Sequence, residues 1–251
     1  MTPEWERMLA SMRAFFPSVG EGSPGFCCLW LDGVLASITP AVPEKSVPNS
    51  VVYESEDALE AALPELARAY EDAGVLAWTV WVPDPHERAR DFLGQAGHVL
   101  DADPTAMVAE LSEIEPPRES DPAPSEAAAS VEVGTVNDLA YDSADAFTRM
   151  LGGAVADPAH TYVKHADGRA VASVMTADHD GDCGVYWVAT VPEARGRGLA
   201  AGLMRRALAA ARERGCTTTT LQATKAGRPV YEGLGYRAFG AIEMWERRRA
   251  A

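Results

Sequence analysis

Residues Trp187 to Ala210 read WVATVPEARGRGLAAGLMRRALAA. This stretch combines a β-branched run, a proline, a loop of arginine and glycine, and an alanine-rich segment that predicts a helix. Gly196 and Gly198 lack side chains, so the loop amides can turn toward an anion beside the helix N-terminus. The guanidinium groups of Arg195 and Arg197 suit phosphate oxygens. The stretch therefore predicts a pyrophosphate site.

The loop differs from two common nucleotide-binding patterns. A P-loop ends in Gly-Lys-Ser/Thr, and the dinucleotide fingerprint needs three glycines and a downstream acidic residue. Arg195, Gly198 and Ala200 instead meet the pattern Arg/Gln-x-x-Gly-x-Gly/Ala, which resembles the acyl-CoA signature of the GNAT superfamily of N-acyltransferases. An isolated match this short also occurs in ordinary strand-to-helix turns.

The flanking sequence extends the resemblance. Val188 to Val191 lies where the family has its splayed central strand, and Pro192 follows that strand. Downstream, Tyr231-Glu-Gly-Leu-Gly-Tyr236 matches the family segment Tyr-x-x-x-Gly-Phe/Tyr. Three elements in the right order and at the right separations make the chain similar to GNAT N-acetyltransferases, which use acetyl-CoA.

The resemblance implies a set of site residues. A bulge in the family's central strand leaves backbone amides for the pantetheine and the acyl carbonyl, and these positions are Val188 and Thr190 here. The loop and first helical turn would hold the pyrophosphate through Arg195, Gly196, Arg197, Gly198, Leu199, Ala200 and Ala201. The family's usual proton donor to the departing thiolate corresponds to Tyr231, and a phenol with a pKa of ~10 suits that role. The alternative is that Tyr231 only packs beside the donor.

The general base and the acceptor cleft are less determined. The family shares no fixed base, and many members deprotonate the amine through water. Four titratable residues are candidates: Glu193, Asp182, His179 and Glu243. Trp187, Tyr186 and Met175 are candidates for a cleft lining, or else for the core, whereas His160 and His165 are expected in surface turns. The histidines and cysteines show no ligand spacing, which predicts no metal site.

Charge and hydropathy exclude several function classes. The formal net charge is −15, and residues 1–126 hold 7 Lys/Arg against 23 Asp/Glu, a balance of −16. Nucleic acid is therefore not an expected partner. The acidic surface would attract a cationic amine, although it equally suits a merely soluble surface. The sequence lacks a membrane-spanning run and a signal-peptide pattern, which predicts a cytoplasmic protein that binds no membrane.

The chain divides into three predicted regions. Glu115 to Ser130 is rich in Pro, Glu, Ser, Asp and Ala, so we expect a first domain at 1–115, a linker at 116–130 and a catalytic domain at 131–251. The second half is predicted to contain, in order, a strand at Val131–Val136, a short helix at Asn137–Met150, strands within Thr161–Val174 and at Val185–Val191, the helix to Arg214, a strand at Thr217–Gln222, a helix at Arg228–Leu234 and a strand at Phe239–Trp245.

The first half resembles a degenerate copy of the second. A helix at Glu56–Ala73, a strand at Val75–Val82 and a helix at His86–Gln95 align with the second half at offsets of 141 and 138 residues. The copy lacks the Arg/Gly loop and has Leu93 in place of Tyr231. We therefore expect an α/β (α+β) fold of two tandem GNAT-like domains, each a mixed, mostly antiparallel sheet flanked by helices, with no CoA in the first. An unrelated α/β domain is the alternative.

These features predict an N-acetyltransferase that transfers an acetyl group directly from acetyl-CoA to a primary amine of a small molecule or a peptide, as a monomer or homodimer. Two alternatives stay open: a non-catalytic acyl-CoA sensor or partner-binding protein, and an enzyme that uses a larger acyl-CoA. The first half has three possible roles, namely closing the acceptor cleft, holding the halves together, or supplying acidic residues to a cationic substrate.

Overall fold

The computed structural model describes residues 1–124, 130–152 and 157–249. The elements of the first half are α1 (Pro3–Gly20), β1 (Cys27–Leu31), β2 (Val34–Ile38), β3 (Ser50–Tyr53), α2 (Glu56–Asp72), β4 (Ala77–Pro83), α3 (Glu87–Gln95), β5 (Val99–Ala102) and β6 (Thr105–Glu110). Those of the second half are α4 (Ser130–Tyr141), α5 (Ala146–Met150), β7 (Ala159–Ala166), β8 (Arg169–His179), β9 (Asp182–Thr190), a 3-10 turn (Pro192–Ala194), α6 (Leu199–Glu213), β10 (Thr218–Ala223), α7 (Arg228–Glu232) and β11 (Arg237–Arg248).

The described strands form a single eleven-stranded sheet, in the order β1-β2-β3-β4-β11-β6-β10-β9-β8-β7, with β5 also paired to β11. β3 pairs with β4, and β9 with β10, in parallel; the other pairs are antiparallel. A long helix connects the two strands of each parallel pair: α2 connects β3 to β4, and α6 connects β9 to β10. Parallel strands need such a long crossover connection. The predicted α/β (α+β) fold class, with mixed, mostly antiparallel strands flanked by helices, is confirmed.

The two halves match in local hydrogen bonding at the offsets that the sequence predicted. The matched bonds, amide to carbonyl, are Val75 to Tyr70 (2.9 Å), Cys216 to Ala211 (3.0 Å), His98 to Leu93 (2.9 Å) and Tyr236 to Tyr231 (3.0 Å). Gly74 and Gly215, which end α2 and α6, both have positive φ, at 71° and 101°. Glycine adopts this left-handed conformation without steric cost, so the two helices end in the same way.

The halves exchange strands. β6 of the first half lies between β10 and the start of β11, where residues 237–241 pair with it. The remainder of β11, residues 242–248, lies between β4 and β5. Each half therefore completes the other's sheet, and removing either would leave unpaired strand edges.

The N-terminal helix α1 lies across both halves. It contacts β2 and β3 of the first half and β8, β9 and β10 of the second. Pro3 is at its first helical position, where a missing amide costs nothing. Its buried face carries apolar side chains at helical spacing: Trp5, Met8, Leu9, Met12, Phe15 and Val19. This face is the core that joins the halves.

The structure differs from two predicted elements within residues 130–150. The predicted strand at Val131–Val136 is wrong, because these residues form the start of α4. Alternating valines suggested a strand, but Val133, Val136 and Asn137 share one buried helical face. The predicted helix to Met150 is interrupted, since Asp142, Ala144 and Asp145 have positive φ between α4 and α5.

The described part of the predicted linker packs on α6. Asp121 is buried, and its carboxylate accepts hydrogen bonds from Arg205 Nε (2.7 Å) and Nη2 (2.5 Å). Its carbonyl accepts from Arg206 Nη2 (2.9 Å). A bidentate arginine partner offsets the loss of water at this buried carboxylate within the predicted linker. Residues 125–129 lie outside the described residues.

Candidate functional site

The site begins where β9 and β10 separate. Residues 182–185 pair with residues 218–221, and the ladder ends there. Further along β9, Ala189 lies opposite Ser173 but Tyr186 lies opposite Met175, so one residue is inserted between them. Trp187, at this bulge, has a φ of 54°, a conformation that a non-glycine residue adopts only when its surroundings hold it there. The predicted splayed strand with a bulge is therefore present, and residues 186–190 extend beyond the last residue of β9 that pairs with β10.

Side chains hold the bulge in place. The carbonyl of Trp187 accepts hydrogen bonds from Ser173 Oγ (3.2 Å) and Asn137 Nδ2 (3.3 Å). Asn137 Nδ2 also lies 3.2 Å from Ser173 Oγ. Because Asn137 belongs to α4, this helix fixes the conformation of the opened strand.

The loop from residue 191 to residue 198 presents the N-terminus of α6. Gly196 and Gly198 have φ values of 74° and 72°, and no atom of the described residues lies within 4 Å of a Cβ built at either. In this described segment, α6 has no side-chain cap and no acidic residue in its first turn. The amides of Leu199, Ala200 and Ala201 therefore have no intrahelical acceptor and face the open loop.

The two loop arginines differ. Arg195 donates from Nε to the Thr190 carbonyl (3.2 Å) and from Nη2 to the Ala140 carbonyl (2.9 Å). It therefore ties the loop to β9 and α4, while its charge stays beside the cavity that it lines. Arg197 is exposed. Arg195 thus helps to shape the site, and phosphate binding by Arg195 and Arg197 stays a prediction.

A cavity of about 890 Å³ follows the opened strand. Of the predicted site residues, Val188, Thr190, Arg195, Ala200 and Tyr231 line it. Gly196, Arg197, Gly198, Leu199 and Ala201 are in the adjoining loop and first turn of α6. The sequence-predicted residues thus come together around one end of the cavity. Its size is within the range of small-molecule sites.

Tyr231 is buried within the short helix α7 and lines the cavity. Its ring contacts Tyr236 edge to face, with centroids 6.0 Å apart. Burial, and to a lesser degree the nearby Tyr141, raise the pKa of Tyr231 above its usual value. The hydroxyl therefore stays protonated near neutral pH and can donate a hydrogen bond into the cavity.

Two of the candidate bases, Asp182 and Glu243, form hydrogen bonds with residues that are not among the described lining of the cavity. Asp182 is buried at the start of β9 and accepts from the hydroxyls of Thr218 (2.8 Å) and Thr220 (2.6 Å). Glu243 accepts from Arg90 Nε (2.8 Å) and Trp245 Nε1 (2.7 Å). Since Met244 lines the cavity, its neighbour Glu243 points to the opposite face of the sheet.

The remaining polar candidates also lie elsewhere. His179 Nε2 lies 3.4 Å from the Asp180 carboxylate at the β8–β9 turn, and Glu193 is exposed in the 3-10 turn. His160 lies 3.7 Å from Asp178, and His165 lies 2.7 Å from Glu132. Among the described residues that line the cavity there is no Asp, Glu or His.

The three candidates for the lining of the acceptor cleft lie in two different environments. Tyr186 and Trp187 line the cavity, whereas Met175 is fully buried in the core and is not among the described lining residues. Sequence reasoning missed Gln222, which lines the cavity on β10 and whose Nε2 is buried without a hydrogen-bond partner among the described residues. A polar residue at the end of the predicted strand was the available signal.

The first half supplies a wall of the cavity that the sequence did not predict. The residues of this wall include Met12, Phe15, Phe16 and Val19 on α1, and Phe26, Val47, Pro48 and Trp81 elsewhere. The apolar spacing within residues 3–20 was a readable signal for a buried helix. Its position over β9 was not readable, because it depends on long-range packing.

The equivalent position in the first half is filled by protein groups. Only residues 54–55 connect β3 to α2. Ser55 Oγ accepts from the amide of Ala58 (3.2 Å), which caps α2, and Glu56 Oε1 accepts from the amide of Ala89 (2.7 Å), which bridges α2 to α3. An acidic, capped helix start is unfavourable for a pyrophosphate.

Two further observations concern residues 1–124, 130–152 and 157–249. No helix in these ranges is long and apolar enough to cross a membrane. The same ranges contain no group of three or more His, Cys, Asp or Glu side chains that could hold a metal ion.

Comparisons with known proteins agree with this geometry. Residues 157–238 match the model of the acetyltransferase (GNAT) domain, and no curated protein matches the chain. The fold is similar to a GCN5-related N-acetyltransferase from Kribbella flavida, with a TM-score of 0.69, 16% identity, and coverage of 100% of this chain and 97% of that one.

Two other solved structures are similar over nearly the whole chain. A GCN5-related N-acetyltransferase from Sphaerobacter thermophilus has a TM-score of 0.56 and 15% identity, with 99% and 93% of the two chains covered. A tandem GNAT protein from the clavulanic acid biosynthesis pathway has a TM-score of 0.57 and 14% identity, with 99% and 94% covered. At these identities the solved structures show the fold alone. The chain therefore has the fold of these GNAT proteins, and residues 157–238 of its second half match the acetyltransferase (GNAT) domain.

Proposed function

We propose that the chain is an N-acetyltransferase that transfers an acetyl group from acetyl-CoA directly to a primary amine. One observation carries this proposal: the opened edge of β9, the uncapped start of α6 and the hydroxyl of Tyr231 adjoin the same cavity. These are the parts that acyl transfer from a thioester needs, namely an anion cradle, amides for a carbonyl and a donor for a leaving thiolate.

The donor would lie along the opened strand. The amides of residues 196–201 would bind the pyrophosphate, and the positive end of α6 would favour its charge. Backbone groups at Val188 and Thr190 would bind the pantetheine and polarise the acyl carbonyl. The buried Nε2 of Gln222 adds a hydrogen-bond donor in the same part of the cavity.

The reaction forms a C–N bond and breaks the C–S bond of the thioester. The uncharged amine attacks the carbonyl carbon, and a C–O dipole that strengthens in the transition state is stabilised by backbone amides of β9. The amine proton leaves to water, since the described lining holds no carboxylate or imidazole. Direct transfer needs no covalent enzyme intermediate, because the cavity can hold both reactants together.

Tyr231 would act chiefly as a hydrogen-bond donor to the sulfur. A thiol has a pKa of about 8.5, well below that of a buried phenol, so complete proton transfer from tyrosine to thiolate is unfavourable. A hydrogen bond from the hydroxyl still stabilises the charge that develops on sulfur. The thiolate then takes its proton from solvent.

A pair of substitutions at Gly198 tests the donor site. Asn and Asp have nearly the same shape, and both tolerate a positive φ, so Gly198→Asn controls for shape and Gly198→Asp adds a charge beside the pyrophosphate. We expect the acetyl-CoA Kd to rise about tenfold more for Asp than for Asn. Equal effects of the two substitutions would contradict the anion site.

Turnover separates this proposal from the alternatives. The enzyme should release free CoA thiol from acetyl-CoA when an accepted primary amine is present. A non-catalytic sensor would bind acetyl-CoA without release for any amine. An enzyme for larger acyl groups would prefer a longer acyl-CoA in competition. We also propose that the protein acts in the cytoplasm, as a monomer or homodimer.

A further inference from the structure

The cavity continues past the donor site into a region built largely by the first half. We call this region the apolar chamber and define it by Phe15, Phe16, Val19, Phe26, Trp81 and Trp187, all of which line the cavity. The part of the cavity that the first half lines is thus mostly aromatic and aliphatic. An amine that reaches Val188 and Tyr231 must share the cavity with these walls.

Charge distinguishes the amines that suit this cavity. Among the described lining residues, Arg195 is the sole charged side chain, and it is already bound to two backbone carbonyls. A buried ammonium group needs a negative or strongly polar partner. The acidic residues of the first half therefore lie outside the described lining and offer no counter-charge inside the cavity.

The polar groups of the chamber wall already have partners. The hydroxyls of Ser37 and Thr39 donate to the carbonyl of Pro48, each at 2.9 Å. The indole Nε1 of Trp81 donates to Ser50 Oγ at 2.9 Å. A sugar or a polyamine entering here would lose hydrogen bonds to water without replacing them.

We propose that the acceptor is an uncharged primary amine with an apolar body, aromatic or branched aliphatic, which occupies the apolar chamber and directs its nitrogen toward Val188 and Tyr231. This inference rests on the proposed acyl transfer. A long acyl chain is the other neutral group that these walls would suit, and a separate arm of the test distinguishes it from the amine.

Substrate pairs of similar size test the inference on the full chain. Rates of CoA thiol release at saturating acetyl-CoA are compared for 2-phenylethylamine against 1,5-diaminopentane, and for tryptamine against glucosamine. We expect kcat/KM to be at least about 100-fold higher for the apolar member of each pair. Higher values for the diamine or the amino sugar would overturn the inference and leave acyl transfer standing.

Two matched variants of Phe16 test whether the amine occupies the apolar chamber. Phe16 is half-buried, so Phe16→Glu and Phe16→Gln alter the wall with a tolerable loss of packing. The carboxylate variant should lower kcat/KM for 2-phenylethylamine and raise it for 1,5-diaminopentane relative to the amide variant. The same change in both variants would overturn the placement of the amine in the chamber.

A second arm distinguishes the acyl chain as occupant. With 2-phenylethylamine fixed, the inference expects acetyl-CoA to be used at least as well as hexanoyl-CoA or decanoyl-CoA. A preference for the long chains together with equal rates for polar and apolar amines would overturn it. Acetyl-CoA binding without thiol release from any amine would overturn both the inference and the proposed enzyme.

Discussion

Phe15 of α1 stacks face to face on Tyr186 of β9, with ring centroids 3.6 Å apart and planes inclined by 6°. Tyr186 also places its hydroxyl 3.3 Å from Ser11 Oγ, where a side chain on Gly184 would collide with both. The first half therefore supports the strand that opens to form the site. Its role as a wall of the site has more structural support than the alternative of acidic residues that attract a cation.

Removal of residues 1–115 should abolish the fold. The fragment loses α1 and also β6, so β10 and the start of β11 become unpaired edges over an exposed core. We expect the fragment 116–251 to aggregate or to lack cooperative unfolding, as measured by circular dichroism and size-exclusion chromatography. Co-expression of 1–115 with 116–251 is the control and should restore a soluble complex. A soluble, fully active fragment 116–251 would contradict the account.

Tyr231→Phe should lower kcat about 100-fold, because general-acid or hydrogen-bond assistance typically contributes at least that much. The acetyl-CoA Kd should change by less than about twofold, since the ring stays in place. Steady-state thiol release and calorimetry measure the two quantities.

Tyr236→Phe is the matched control for that substitution. Tyr236 is buried and shares a 2.8 Å hydrogen bond with the Thr219 hydroxyl, but it is not among the described residues that line the cavity. Its loss should reduce the free energy of unfolding by about 1 kcal/mol and leave kcat nearly unchanged. Equal losses of kcat in both variants would remove the donor role of Tyr231.

His98 should make stability depend on pH. It is 3% exposed and packs edge to face on Trp78, and burial together with nearby Arg247 lowers its pKa from 6.5 to about 4. Because the pKa of His98 is lower in the folded state than in the unfolded state, its contribution to the free energy of unfolding is complete above pH 6.5 and is lost as pH falls toward 4. The free energy of unfolding should therefore fall by about 2 kcal/mol between pH 7.5 and pH 5.

The variant His98→Phe measures that contribution. It keeps an aromatic ring beside Trp78 but cannot take up a proton. Urea unfolding at pH 7.5 and pH 5 should show a smaller loss for the variant than for the native chain, by about 2 kcal/mol. Equal losses for the two proteins would mean that His98 does not titrate in this way.

Local sequence predicted much of the fold and the residues that line or adjoin the cavity beside the Arg/Gly loop. The Arg/Gly loop, the strand before it and Tyr231 came together because they follow one another within a single strand-helix-strand-helix unit. The matched glycines Gly74 and Gly215 likewise marked the repeat, since a helix end with positive φ has a strong local signature.

The remaining features depended on contacts between distant segments. The exchange of β6 and β11 was not predictable, because strand partners are chosen by the whole sheet and the pattern within a strand is the same for either neighbour. The α4 residues Val133 and Val136 were misassigned because tertiary burial overrode a strand-like pattern. The apolar chamber also escaped prediction, since its walls come from segments far apart in the chain.

The central claim is that the chain carries the fold twice but the acyl-CoA loop once. Isothermal titration calorimetry of the full chain with acetyl-CoA tests it without knowledge of the acceptor. We expect one acetyl-CoA site per chain, with weaker binding in Gly198→Asp than in Gly198→Asn. Two sites per chain, or no binding at all, would contradict it.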